Sequence, residues 1–110
     1  MIDFVRDQLP DTELLAQLAE EAVELSHAAL KVRRVYDGRN PTPVSRNEAH
    51  AKLYEEIADV LNCLRVLGYS TNVADYQHTM DQKMDRWAGR IYNARNHAED
   101  KTESGLISED

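Results

Sequence analysis

Apolar residues recur at spacings of three and four through most of the chain, and no stretch of strand length alternates apolar with polar. A helix turns once in about 3.6 residues, whereas a strand reverses its side chains at every step, so the pattern calls for amphipathic helices. "MIDFVRDQL" (residues 1–9) reads as a short helix ended by Pro10. From Asp11 to about Tyr36, Leu14, Leu18, Ala22, Leu25, Ala29 and Val32 mark one long helix, with Asp11 or Thr12 as its cap. Gly38, Pro41 and Pro43 place a loop at residues 37–47.

Ser45-Arg46-Asn47-Glu48 then has the form of a capping box, and Leu53, Ile57, Val60, Leu64 and Leu67 run down one face until Gly68 offers a left-handed stop. After "YSTN", a third long helix is expected from about Val73 to Asn96, with Tyr76, Met80, Met84, Trp87 and Ile91 on one stripe. The expected fold is all-α, a helical bundle of three main helices. With 110 residues there is room for one domain, drawn at 1–97, and an acidic tail at 98–110 expected to be disordered. So small a domain has a thin core, so homo-oligomerisation, as a homodimer or homotetramer, is expected to complete it.

Thirteen basic residues face twenty acidic ones, a formal charge of −7, and no basic patch interrupts the acidity. That balance argues against binding a nucleic acid polymer. Cys63 is the sole cysteine and has no internal disulfide partner. No cleavable leader or membrane-length apolar run stands out, so no membrane partner and a cytoplasmic location are the expectations.

The acidic residues are more informative in position than in number. Glu21 and Glu24 share one helix face, and Glu56 and Asp59 share a face of the next helix. The stretches from Glu24 to Tyr36 and from Ser45 to Glu56 are nearly equal, so at about 1.5 Å per residue both pairs lie at similar distance from the loop. Helices folded back antiparallel would bring the carboxylates together. Without a cation they would repel, and oxygen-only ligands select Mg²⁺, with Mn²⁺ as a substitute. Such a site suits phosphoanhydride chemistry. The competing reading is that Glu20, Glu21, Glu24, Glu55, Glu56 and Asp59 merely solvate helix faces.

Glu20-Glu21-Ala22-Val23-Glu24 followed by Glu56-Ile57-Ala58-Asp59 resembles the EExxE and ExxD motifs of the MazG-like all-α nucleoside triphosphate pyrophosphohydrolases, over about residues 11–96. The resemblance implies Mg²⁺ held by Glu21, Glu24, Glu56 and Asp59, and hydrolysis of a nucleoside triphosphate to the monophosphate and pyrophosphate. It makes Glu20 and Glu21 the catalytic candidates, with Glu20 orienting or deprotonating the attacking water. Lysine and arginine of the third helix reach the triphosphate in that family, which points to Lys83 and Arg86, with Arg90 nearer a surface role. Lys52, four residues before Glu56, stands on the same face as the acids and joins them as a phosphate candidate. Some relatives carry an amide where this chain has Asp81, a departure that puts base or phosphate contacts from that position in question; Asn62 is an alternative contact for the base, its competing reading being an interhelical amide.

Trp87 reads as core or dimer interface, Cys63 as a small buried residue, and the four histidines show no ligand spacing. Two alternatives stand beside the leading reading. One is an enzyme resembling phosphoribosyl-ATP pyrophosphohydrolase. The other is a non-catalytic helical interaction module whose acids are solvated.

Overall fold

A computed structural model describes residues 1–38 and 43–103, with side chains through Asp100. It is all-α: α1 spans Ile2–Gln8, α2 Asp11–Asp37, α3 Arg46–Leu67 and α4 Gln77–Glu103, with a 3₁₀ turn at Val73–Tyr76 before α4. No strand occurs among the described residues. Pro41 and residues 104–110 of the expected tail lie outside them.

Local chemistry sets the boundaries. Gly38 and Gly68 end α2 and α3 in the left-handed region, at φ 69° and 90°, where a side chain would be strained. Ser45 Oγ accepts from the Glu48 amide at 3.1 Å, the forward half of the expected capping box. The start of α2 differs from expectation. Pro10 occupies the cap position and no side chain caps it, because the fixed proline φ already turns the chain into the helix. Asn72 caps the 3₁₀ turn by accepting from the Ala74 amide at 3.0 Å, which delays α4 to Gln77. α4 also continues through Ala98–Glu103, past the boundary drawn for the tail.

The chain divides into two compact units, Met1–Thr71 and the remainder from Asn72, where the sequence suggests one domain. In the first, α2 packs on α3, with α1 across the end of α3. Two rows of reduced exposure face one another, Leu14, Leu18, Glu21, Leu25, Ala28, Val32 and Val35 on α2, and Ala49, Leu53, Glu56, Val60, Cys63 and Leu67 on α3, with Lys31, His50, Leu64 and Val66 partly covered beside them. Both rows alternate steps of four and three, the seam of paired helices. The facing row of α2 thus takes Glu21 and Ala28 in place of Ala22 and Ala29, which are exposed. Each seam contains one glutamate in an otherwise apolar row.

Two side-chain clusters fasten this unit. Where α2 ends and α3 begins, the Tyr36 hydroxyl meets His50 Nε2 at 2.8 Å, and the Arg46 guanidinium lies 4.4 Å from the Tyr36 ring centroid. At the other end, Arg6 of α1 donates from Nε to the Val66 carbonyl at 2.9 Å and from its guanidinium to the Arg65 carbonyl at 3.3 Å. These are last-turn carbonyls of α3, where a cation also opposes the helix dipole.

The second unit holds the 3₁₀ turn and α4. Met80, Met84, Trp87 and Ile91 form the expected stripe, but every one is exposed, Trp87 by 56%. Within its own unit, therefore, Trp87 is not covered.

No residue of α1 is buried, and Arg6 ties it to α3 through two hydrogen bonds. Arg6→Ala is expected to cost about 0.5–1.5 kcal/mol in urea unfolding. Amide exchange should accelerate in α1 while α2 stays protected. Unchanged exchange in α1 would show that other contacts hold it.

Candidate metal centre

The two seam glutamates meet. Ligand atoms of Glu21, Glu56 and Asp59 lie within 4.8 Å of one another. Glu21 comes from the α2 seam, Glu56 from the α3 seam, and Asp59 from one turn further along α3 on the exposed side. Glu24 stands outside this group and is exposed, as is Glu20. One helical step separates Glu21 from Glu24, and the pairing of the seams favours the first.

Glu56 is the unusual member. It is 4% exposed, and its Oε2 has no hydrogen-bond partner. Its Oε1 is held by Lys52 Nζ at 2.9 Å, which also lies 3.6 Å from Glu55 Oε2. The hydrogen bond to Glu56 and the attraction of its charge raise the Lys52 pKa. A buried carboxylate oxygen without a donor is costly, and a cation resolves that cost. The donor set fits Mg²⁺: three carboxylates from two helices, one with an oxygen that no hydrogen bond engages.

Neighbouring polar groups are ordered around this centre. Gln17 donates to Glu21 Oε1 at 2.8 Å, one turn before it on α2. Burial, followed by the charges of Glu21 and Asp59, pushes the Cys63 thiol pKa up. Cys63 is half-buried rather than fully enclosed, and Asn62 beside it is exposed. Lys83 and Arg86 belong to the second unit, where with Arg90 they edge a shallow recess along Met80, Met84 and Trp87.

Sequence reasoning identified three of the clustered acids through their i,i+3 spacing but not the seam. The signal was available: Glu21 and Glu56 each interrupt a four-three row of small and apolar residues. Gln17 and Cys63 were not assigned to the site, since their proximity to it depends on how α2 and α3 pair. In comparisons with known proteins, no family model, no curated protein and no solved structure matches the chain.

The raised thiol pKa gives a direct check on the cluster's charge. In metal-free buffer Cys63 should react with iodoacetamide along a pH profile whose midpoint lies above about 8.5, the usual thiol value. Glu21→Gln and Asp59→Asn should each move that midpoint down, since each removes a charge that disfavours the thiolate. Profiles that coincide with wild type would place both carboxylates too far away to act.

Proposed function

We propose that this chain is an Mg²⁺-dependent hydrolase that converts a nucleoside triphosphate to the monophosphate and pyrophosphate. The observation that carries the reading is Glu56: a buried carboxylate with an unpartnered oxygen, set beside Glu21 and Asp59 across a helix seam. An acid at that position costs the bundle stability that an apolar residue of similar size would not. The motif resemblance of residues 20–24 and 56–59 supports the same reading.

On this proposal Glu21, Glu56 and Asp59 hold the metal, and the exposed Glu24 completes the set by turning inward. Mg²⁺ held there would supply charge neutralisation to the phosphates and would favour ionisation of water. Glu20 orients the attacking water and takes its proton as the new P–O bond forms at the α-phosphorus. The bond to the β-phosphate oxygen breaks, and pyrophosphate departs with the electron pair. Lys52 is the proposed contact to the triphosphate and Asn62 the contact to the base, while Lys83 and Arg86 are triphosphate candidates on the motif resemblance alone.

The exposed stripe of α4 supports homodimer or homotetramer formation, because four large apolar side chains in one row seldom stay in water. Light scattering at micromolar concentration should return at least a dimer mass. Replacing Met84 and Trp87 together with glutamine should shift it toward the monomer, and an unaltered mass would place the interface elsewhere.

The metal reading is tested by melting curves beside a pyrophosphate-release assay over common nucleoside triphosphates. Mg²⁺ at ten times its Kd should stabilise the wild type by about 1.4 kcal/mol. Asp59→Asn should equal or exceed wild-type stability without metal, lose most of the Mg²⁺ effect and abolish turnover. Lys83→Ala and Arg86→Ala should slow turnover while leaving helix content intact. An Asp59→Asn protein with full activity and an undiminished Mg²⁺ effect rejects the metal centre.

A further inference from the structure

The expectation that no basic patch interrupts the acidity fails at one end of the α2–α3 hairpin. Residues 31–50 hold five of the thirteen basic residues, Lys31, Arg33, Arg34, Arg39 and Arg46, but only two of the twenty acids, Asp37 and Glu48. Arg39 lies outside the described residues. Part of the excess has a local cause, since Arg34 in the last turn of α2 opposes the dipole of that helix. Arg46 has no such cause. It opens α3, where the positive end of the dipole disfavours a cation.

Arg46 is nevertheless held in place. Its guanidinium lies 4.4 Å from the centroid of the Tyr36 ring. Tyr36 in turn meets His50 Nε2 through its hydroxyl at 2.8 Å, with the two rings edge to face. His50 follows Arg46 by one turn of α3, and Arg33 precedes Tyr36 by one turn of α2, so each pair shares a helix face. Within the described residues neither Arg33 nor Arg46 forms an ion pair or a side-chain hydrogen bond. Of the two acids nearby, Asp37 has an interaction of its own, and Glu48, two residues beyond Arg46, points to a different side of α3.

The start of α3 adds donors. Ser45 Oγ engages the Glu48 amide, which leaves the Arg46 and Asn47 amides of this 22-residue helix without an intrahelical acceptor. Unpaired guanidinium, free helix-end amides and a phenol beside them are together suited to an anion. A phosphate fits better than a carboxylate, because its several oxygens can use the arginine fork and the amides at once. A nucleic acid polymer needs a longer row of cations than this cluster offers.

The geometry points to a phosphate site at this end of the hairpin, built from Arg33, Tyr36, Arg46 and His50 with the first amides of α3. It takes the terminal group of inorganic phosphate, pyrophosphate or a nucleoside monophosphate. Arg46 precedes Glu56 by ten residues, about 15 Å along the helix, too far for one phosphate group to touch both. The site is therefore separate from the carboxylates and needs no metal.

Its test keeps metal out, so its failure and that of the metal reading are distinguishable. Pyrophosphate, inorganic phosphate and adenosine monophosphate are each titrated into the ¹⁵N-labelled full chain in EDTA, with sodium chloride at matched ionic strength as control. At least one phosphate should give saturable shifts of the Tyr36, Arg46 and Asn47 amides below about 10 mM, and chloride none. The compound that saturates first identifies the source of the phosphate. Arg46→Gln, at an exposed position, should weaken that binding by about fivefold or more, and Arg33→Gln by about twofold or more. Arg65→Gln removes the same charge from the far end of α3 and should leave binding unchanged, and helix content should stay intact in all three. The site is overturned by the absence of a saturable shift, by an equal response to chloride, by shifts confined to the amides around Glu56 and Asp59, or by equal weakening in Arg46→Gln and Arg65→Gln.

Discussion

The pairing of α2 with α3 is organised around a charge in its seam. Glu56 occupies a position that four-three spacing reserves for an apolar side chain, and Lys52 reaches back one turn to neutralise one of its oxygens at 2.9 Å. Burying an uncompensated carboxylate costs several kcal/mol, more than a single exposed pair recovers. The seam around it must supply the difference, with leucines and valines above and below and alanines that let the helices approach. Glu21 completes the arrangement from α2, so both helices depart from apolar pattern at the same level of the bundle.

The rest of the first unit keeps that register. A slide of one helical step would withdraw Glu21 from Glu56 and present a different residue of α2 to α3. Tyr36, His50 and Arg46 pin one end of the hairpin, while Ser45 and Gly38 fix where the helices stop and start. Arg6 ties α1 over the last turn of α3 at the opposite end. None of these links is strong alone, yet each opposes sliding, and sliding is the motion that would separate the acids.

Much of this was legible in the chain itself. Pro10, Gly38, Ser45 and Gly68 act locally, so the ends of α2 and α3 could be placed within a residue or two. The i,i+3 spacing of Glu56 and Asp59 likewise guaranteed a shared face. What escaped was rotation: Ala22 and Ala29 fit an apolar stripe on α2 as well as Ala28 does, and only the facing helix decides between them. Arg6 was equally unreadable, since its partners lie about sixty residues away and are backbone carbonyls that carry no sequence signal. The stripe of α4 was legible as a pattern but not as a surface, because periodicity tells which residues want cover and not what provides it.

The seam also suggests how a cation site and a phosphate site can share residues. The Lys52 ammonium holds Glu56 Oε1, while Oε2 has no hydrogen-bond partner. On the proposed reading, Glu21, Glu56 and Asp59 would hold a divalent ion, and Glu56 would then be shared between that ion and the ammonium, because both are drawn by its negative charge. Lys52 is more than half exposed on a flexible stem, so it can leave Glu56 at small cost. Once released it stands on the rim of the metal centre with a free charge, where a metal-bound triphosphate would present oxygens. The lysine that partners the buried acid would then serve as a contact of the phosphate.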